Sequence, residues 1–326
     1  MKLDVKDIKI LQELDLNPKI TTSQLGKRIR LSQQVVDYRT KRLQENNIIT
    51  NFGTIINLAK LGYEQYRILF QLANVNDEIK KKIIDYLKDH ENVYWAAIVG
   101  GKWDLFIVVW VKNYEYLENF LDELFNKFPK SLKDYEALYT INHEFYRHNY
   151  LFNKKQSFNV IKIDTATAKS TIELDKIDFC ILNNIKSKCR KSSLEIGNLC
   201  NVSYKTIQNR IRNMEQKEII SGYRIFLKSK EYKPYLLLIY FSEYGRETEK
   251  RLLSYARSHK DITQTTKIFG RWSLLFHIRA INEKELQNLV IEMRNNYPII
   301  GDYEIIPIFE DISINHFPMS KENLSK

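Results

Sequence analysis

The stretch Leu3-Asp4-Val5-Lys6-Asp7-Ile8-Lys9-Ile10-Leu11 returns 171 residues later as Leu174-Asp175-Lys176-Ile177-Asp178-Phe179-Cys180-Ile181-Leu182. The same offset carries Leu25-Gly26 onto Ile196-Gly197, Ser32 onto Ser203, Arg39 onto Arg210 and Ile48-Ile49 onto Ile219-Ile220. A repeat of this period is a duplicated module, and it decides the fold.

In the first copy Asp4 is placed to cap a helix whose apolar residues Ile8, Leu11 and Leu14 share one face, and Asn17-Pro18 ends it. Thr22 opens a short second helix with Leu25 and Ile29. Ser32 caps a third, with Val36, Thr40 and Leu43 inward. Residues 48–57 then read as a strand and wing. Three short helices and a strand predict a winged helix-turn-helix whose third helix faces a DNA major groove. The second copy repeats the plan, with Ser193 and Ser203 as caps and Ile207, Ile211 and Met214 inward.

A second module follows each head. Tyr66–Leu72 reads as a strand, and Ile79, Ile83 and Leu87 as one helical stripe. Val93–Val99 and Leu105–Val111 are strands joined by Gly100-Gly101-Lys102-Trp103-Asp104. Leu117, Phe120, Leu121 and Leu124 form a helical face, and a last strand covers Tyr135–Asn142. The later module gives the same order, ending in a strand over Tyr303–Ile308; here the offset is 169, with Gly101, Trp103 and Pro129 answered by Gly270, Trp272 and Pro298. The fold class is therefore α+β: two copies of a winged helix-turn-helix followed by a ferredoxin-like βαββαβ domain. The expected boundaries are 1–57, 58–151, a linker at 152–171 holding only a short apolar run at Val160-Ile161-Lys162-Ile163, then 172–227 and 228–319.

The 326 residues are 44% hydrophobic and 28% charged, as in a globular protein of several domains. A net charge of +11 and a pI near 9.2 point to an anionic partner. No apolar run reaches the roughly 18 residues of a membrane span, and no signal-peptide pattern precedes the first helix, so a cytoplasmic protein without membrane partners is expected. The cysteines all lie in the second head. Cys200 replaces Ile29 and reads as a small core residue, while Cys180 and Cys189 read as free thiols. A disulfide framework shared by both copies would need them in both. The six histidines are scattered and suggest no metal site.

The Leu-Asp-x-x-Asp opening, the Leu31-Ser32 before the third helix with Arg39 seven residues on (Val202-Ser203 and Arg210 in the second copy), and the Gly-x-x-Asp turn of the βαββαβ module resemble the leucine-responsive/asparagine-regulator (Lrp/AsnC) family of transcription regulators. The resemblance spans nearly the whole chain, twice, where that family usually has one copy. It implies a DNA-binding head and a domain that dimerises and binds small effectors such as amino acids. The sheets would pack face to face, within the chain as a pseudo-dimer or between chains of a homo-oligomer.

The expected DNA-contacting residues are Ser32, Gln33, Gln34, Asp37, Tyr38, Arg39, Lys41 and Arg42 in the first head. In the second they are Ser203, Tyr204, Lys205, Gln208, Asn209, Arg210 and Arg212. Gln and Arg suit base edges, and Lys and Arg suit phosphates. Between Lys27 and Arg42 six cations stand against Asp37 alone. Gln33-Gln34 becomes Tyr204-Lys205 and Asp37-Tyr38 becomes Gln208-Asn209, which predicts two unlike half-sites. By the resemblance, the effector site is at Gly100, Gly101 and Asp104, with Gly270 and Ser273 as its altered counterpart. The first expectation is a DNA-binding regulator that is not an enzyme and needs no cofactor.

The alternative is a sirohaem decarboxylase-like tetrapyrrole enzyme, since relatives of the family act so, sometimes as fused pairs. By that resemblance a His-Asn-Tyr-type motif belongs on the second strand of the βαββαβ module. Here those strands read Val93-Tyr94-Trp95-Ala96-Ala97-Ile98 and Ile262-Thr263-Gln264-Thr265-Thr266-Lys267, with no histidine. His148-Asn149-Tyr150 follows the last strand and reads as coincidence.

Overall fold

The structure, a computed structural model, describes residues 3–152, 160–165, 171–243 and 245–318. Most of the expected linker lies outside them.

The first head comprises α1 (Val5–Leu16), α2 (Thr22–Ile29) and α3 (Gln33–Glu45), followed by β1 (Ile49–Ile56). Asp4 and Asp7 form a reciprocal capping box, and the cap of α2 is Thr21, one residue before the expected Thr22. Then come β2 (Glu64–Leu72), α4 (Asp77–Asp89), β3 (Val93–Val99), β4 (Leu105–Val111), α5 (Tyr114–Lys127), β5 (Leu132–Phe145) and a short β6 (Ile161–Asp164). The second copy gives α6 (Lys176–Ile185), α7 (Ser193–Cys200), α8 (Tyr204–Gln216) and β7 (Ile220–Leu227). It continues with β8 (Lys233–Phe241), α9 (Arg246–Ser258), β9 (Ile262–Phe269), β10 (Leu274–Ala280), α10 (Glu283–Asn296) and β11 (Ile300–Ile314). Ser192, not Ser193, caps α7.

The strands after the heads do not form separate wings. β1 pairs antiparallel with β7, giving a two-stranded ribbon between the copies. A single strand leaves its backbone groups unpaired, and each copy's strand supplies the other's ladder. The cores interlock as a result. Ile225, Leu227 and Cys189 complete the first head's core, while Ile55, Ile56 and Leu58 enter the second head's core.

β5 and β11 run well past their expected ends. Residues 132–139 of β5 pair with β2 of their own half, and residues 139–145 pair with β9 of the other. β11 likewise pairs first with β8 and then, through Ile308–Ile314, with β3. Strands in the order β2-β4-β3-β11-β8-β10-β9-β5, with β5 back on β2, form a closed eight-stranded barrel. The helices cover its outside: Ile83, Leu87, Leu117 and Leu124 pack on Ile68, Phe70, Ile107 and Val109, and the other half repeats this. Inside, one end is filled by Leu69, Trp103, Phe106, Leu238, Trp272 and Leu275.

Cys180 and Cys200 form a disulfide between α6 and α7, with Cα atoms 5.8 Å apart, and only Cys189 is free and buried. The reading of Cys180 as a thiol and Cys200 as a core filler is thereby corrected: the second head acquired a bridge where the first has Lys9 and Ile29.

Two histidines pin the ribbon to the ends of the crossing strands. His148, three residues past β5, contacts Asp15 Oδ1 of α1 through Nδ1 at 2.7 Å, and its Nε2 lies 3.3 Å from an Arg224 nitrogen of β7. His316, two residues past β11, accepts from Asn51 of β1 at 3.0 Å and packs on Phe226 of β7. His148 is thus a buried tie between the end of β5, α1 and β7. Burial holds both histidines below the usual imidazole range, His316 at about 4, and so keeps them neutral. Burial opposes the charge of Asp15, but His148 and Arg224 outweigh it and hold its carboxyl low. A histidine depressed on folding binds its proton more readily when unfolded, so stability falls as pH drops below 6.5. The melting temperature is expected to be flat above pH 6.5 and to fall steadily between 6.5 and about 4. Asp15→Ala, which strands His148 and Arg224, is expected to cost about 3 kcal/mol at pH 7.5. Thermal melts across that range check both; an unchanged melt at pH 5 contradicts the assignment.

Candidate functional site

Two concave regions stand out. A groove of about 1180 Å³ between α4, α5 and α6 is lined by charges of both signs, among them Lys82, Asp85, Glu123 and Lys127. Those charges have counter-charges at hand. The second, a cavity of about 260 Å³, occupies the barrel end that apolar side chains leave unfilled, beneath the β1–β7 ribbon. Its chemistry is different.

Strand alternation explains it. On β2, Tyr66, Ile68 and Phe70 face the helices, so Gln65, Arg67 and Leu69 face inward. On β10, Phe276 and Ile278 face outward, and Leu275, His277 and Arg279 inward. The crossing half of β5 adds His143, and β9 adds Gln264.

Arg67 is 2% exposed. It donates to Gln65 Oε1 at 2.6 Å, to Thr140 Oγ1 and to His143 Nδ1, and its Nε has no partner among the described residues. Every partner is neutral. A guanidinium only donates, so His143 Nδ1 is an acceptor, also for Thr266 Oγ1 at 3.0 Å. The ring proton then sits on Nε2, facing Gln264 Oε1 at 3.0 Å. Burial pulls Arg67 down to about 9, which still leaves it charged at neutral pH. Burial and the Arg67 charge both keep His143 neutral, and the same two effects act on His277. The His277 ring and the Arg279 guanidinium have no hydrogen-bond partner among the described residues, and Arg279 no ion pair. Glu310 and Asp311 reach the lining, but Asp311 accepts from Trp95 Nε1 at 2.9 Å, and neither pairs with Arg67 or Arg279. A buried cation without a counter-ion costs several kcal/mol, which a bound anion would offset.

The residues expected to contact DNA lie on α3 and α8, away from this cavity. Gln33, Gln34, Asp37, Tyr38 and Lys41 are exposed, as are Tyr204, Lys205, Gln208, Asn209 and Arg212. Ser32 and Ser203 spend their hydroxyl oxygens as helix caps. Arg39 and Arg42 are otherwise engaged: Arg39 binds Asp4 and Asp7 at 2.7 and 2.9 Å, and Arg42 binds both oxygens of the fully buried Asp7. Arg210 binds Asp175 and Asp178 in the same way. The Leu-Asp-x-x-Asp signature is therefore one half of an internal ion-pair lock, and three of the expected DNA-contacting cations are its other half.

The glycine turn does not line the barrel cavity. Asp104 Oδ2 accepts the Leu72 amide at 2.7 Å, and Ser273 Oγ accepts the equivalent Phe241 amide at 3.3 Å. Gly101 adopts φ +88°, and a Cβ on Gly100 would stand 2.6 Å from the Phe309 ring. Gly100, Gly101, Asp104, Gly270 and Ser273 make tight strand connections against the neighbouring half. Sequence reasoning missed Arg67, His143, Gln264, His277 and Arg279. Their signal was a charged or polar residue at the inward position of an otherwise apolar strand.

Residues 3–50 and 174–221 match a family described as winged helix-turn-helix DNA-binding. An uncharacterised HTH-type transcriptional regulator of Pyrococcus horikoshii is 30% identical over 123 residues, covering 38% of this chain and 77% of that protein. An HTH-type transcriptional regulator of Methanocaldococcus jannaschii is 32% identical over 124 residues, 37% and 80% respectively. The crystal structure of the siroheme decarboxylase NirDL superposes over 98% of this chain and 96% of its own with a TM-score of 0.66 at 12% identity. Its complex with an iron-uroporphyrin III analogue gives 0.65, also at 12% identity, over 97% and 95%. The expectation that the chain is not an enzyme does not stand, because the fold that runs through its whole length is one that an enzyme uses. Among the described residues no helix is long and apolar enough to cross a membrane. The chain belongs to the winged helix-turn-helix transcriptional regulators related to Lrp/AsnC, with the head present twice.

Proposed function

We propose that this chain is a tetrapyrrole-binding enzyme that removes CO2 from a carboxylate arm of its substrate, with each half a ferredoxin-like unit whose last strand is extended. The observation that carries the reading is Arg67, a buried guanidinium with only neutral partners, in a cavity that also holds Arg279 and two neutral imidazoles. A multiply carboxylated macrocycle supplies the missing anions. The whole-chain likeness to a siroheme decarboxylase supports the same reading.

In such a reaction the bond between carboxylate and methylene carbon breaks and CO2 leaves. The electron pair spreads from the methylene into the conjugated ring, and one proton completes a methyl group. Tyr94 on the cavity wall is the proton donor we assign. Burial pushes its phenol up to about 12, so it is protonated, and Arg224 is the charge that would stabilise the phenolate left behind. Adding iron uroporphyrin III to the protein is expected to shift the Soret band saturably, and mass spectrometry of the incubated tetrapyrrole to reveal CO2 loss. Tyr94→Phe is expected to lower kcat about 100-fold with the spectral titration preserved. No spectral shift, or full activity in Tyr94→Phe, contradicts the reading.

A second reading rests on the exposed polar faces of α3 and α8 and the net charge of +11: the heads also bind duplex DNA. With Arg39, Arg42 and Arg210 tied down, the cations on those faces that can meet phosphates are Lys205, Arg212 and Lys41, the last held only by an exposed pair with Glu45 at 3.8 Å. Three phosphate contacts predict a log–log salt slope of about −3. Fluorescence anisotropy with labelled duplex measures it, and no binding at 50 mM salt (on the order of the low-salt limit where such contacts are strongest) rejects it.

A further inference from the structure

The two halves of the barrel have divided one site between them. Pairing register relates their residues: Arg67 lies between Leu138 and Val108, and Leu236 lies in the same way between Ile306 and His277. By the same registers His143 answers to Asp311, Gln264 to Trp95, His277 to Val108 and Arg279 to Trp110. The polar member of each pair lies on β2, β5, β9 or β10, which are consecutive around the barrel. The counterparts lie on β8, β11, β3 and β4, also consecutive. Apart from Asp311, those counterparts are apolar or aromatic. One arc is a cationic, imidazole-bearing wall, and the opposite arc is an aromatic wall on which Trp95 lies 5.6 Å from the His277 ring.

We propose that the chain holds one polycarboxylate ligand in one orientation, its anchoring carboxylates on the Arg67–Arg279 wall and its conjugated face on Trp95 and Trp110. The proposal rests on the tetrapyrrole reading for the identity of the ligand, not for its orientation or number. An internal space of about 260 Å³ takes carboxylate arms and the edge of a ring, so most of a macrocycle lies at the mouth, where Phe309 is 70% exposed. The orientation has a chemical consequence. A guanidinium stabilises a carboxylate and not the CO2 it becomes, so arms bound to Arg67 and Arg279 are retained. The arm that is lost lies toward the aromatic wall, which also carries Tyr94. Arg67 is accordingly a binding and specificity residue, and its loss is felt in KM before kcat.

The test is titration of the full chain with iron uroporphyrin III, followed by Soret absorbance and tryptophan quenching, and in parallel with benzenehexacarboxylate, followed by thermal shift. The expected result is one site per chain with both probes. Arg67→Met is expected to weaken both at least about tenfold, Arg67→Lys much less, and the counterpart change Leu236→Met not at all, with melting curves confirming that each variant is folded. Two equivalent sites per chain overturn the proposal, as does Arg67→Met binding as tightly as the unaltered chain. If benzenehexacarboxylate binds once and in an Arg67-dependent way while the tetrapyrrole does not bind, the tetrapyrrole reading fails and the single anionic site stands. If neither probe binds, the site itself is refuted.

Discussion

The exchange of β5 and β11 between the halves is the constraint from which the rest follows. Each strand pairs first at home and then across the boundary, so neither sheet can close without the other. Closure removes the edges that two open sheets would leave, and it creates an interior that two separate sheets would lack. His143 reaches that interior only because β5 continues past its own sheet. His148 and His316, which tie the ribbon beneath the heads, stand just beyond the same crossings. The barrel, the cavity and the placement of both heads share one cause.

Duplication within one polypeptide made the asymmetry possible. Two identical chains would place an Arg67 on both arcs of the barrel, with two uncompensated buried cations facing one space. Here Leu236 stands in the second position, and at this pair of sites the cost of a buried guanidinium arises once. The heads diverged in the same way. The first keeps two arginines on Asp7, while the second keeps Arg210 alone on its aspartates and adds the Cys180–Cys200 bridge.

Much of the fold was legible from residue order. Helix faces such as Leu117, Phe120, Leu121 and Leu124, and caps such as Asp4, Ser32 and Ser203, follow local rules and were read correctly. The ends of β5 and β11 were not. Past Asn142 the strand continues as His143-Glu144-Phe145, where His143 faces the cavity and Glu144 pairs with Arg257, so the apolar alternation that marks a buried strand breaks off. The residue that lines the cavity concealed the strand that carries it. The site was lost for a related reason: histidine was sought on the second strand of each module, whereas the imidazoles come from β5 and β10. Arg39 misled in the opposite sense. A conspicuous cation on a recognition helix looks like a DNA contact until its partners Asp4 and Asp7, more than thirty residues away in sequence, are placed beside it.

The central claim is that strand exchange closes a barrel around one uncompensated cationic wall. A crystal structure of the chain grown with iron uroporphyrin III tests it most directly. The account predicts β5 paired with both β2 and β9, one macrocycle between the barrel mouth and the β1–β7 ribbon, and a carboxylate within hydrogen-bond distance of the Arg67 guanidinium. A macrocycle bound outside the barrel, or a barrel open between β5 and β9, would contradict it.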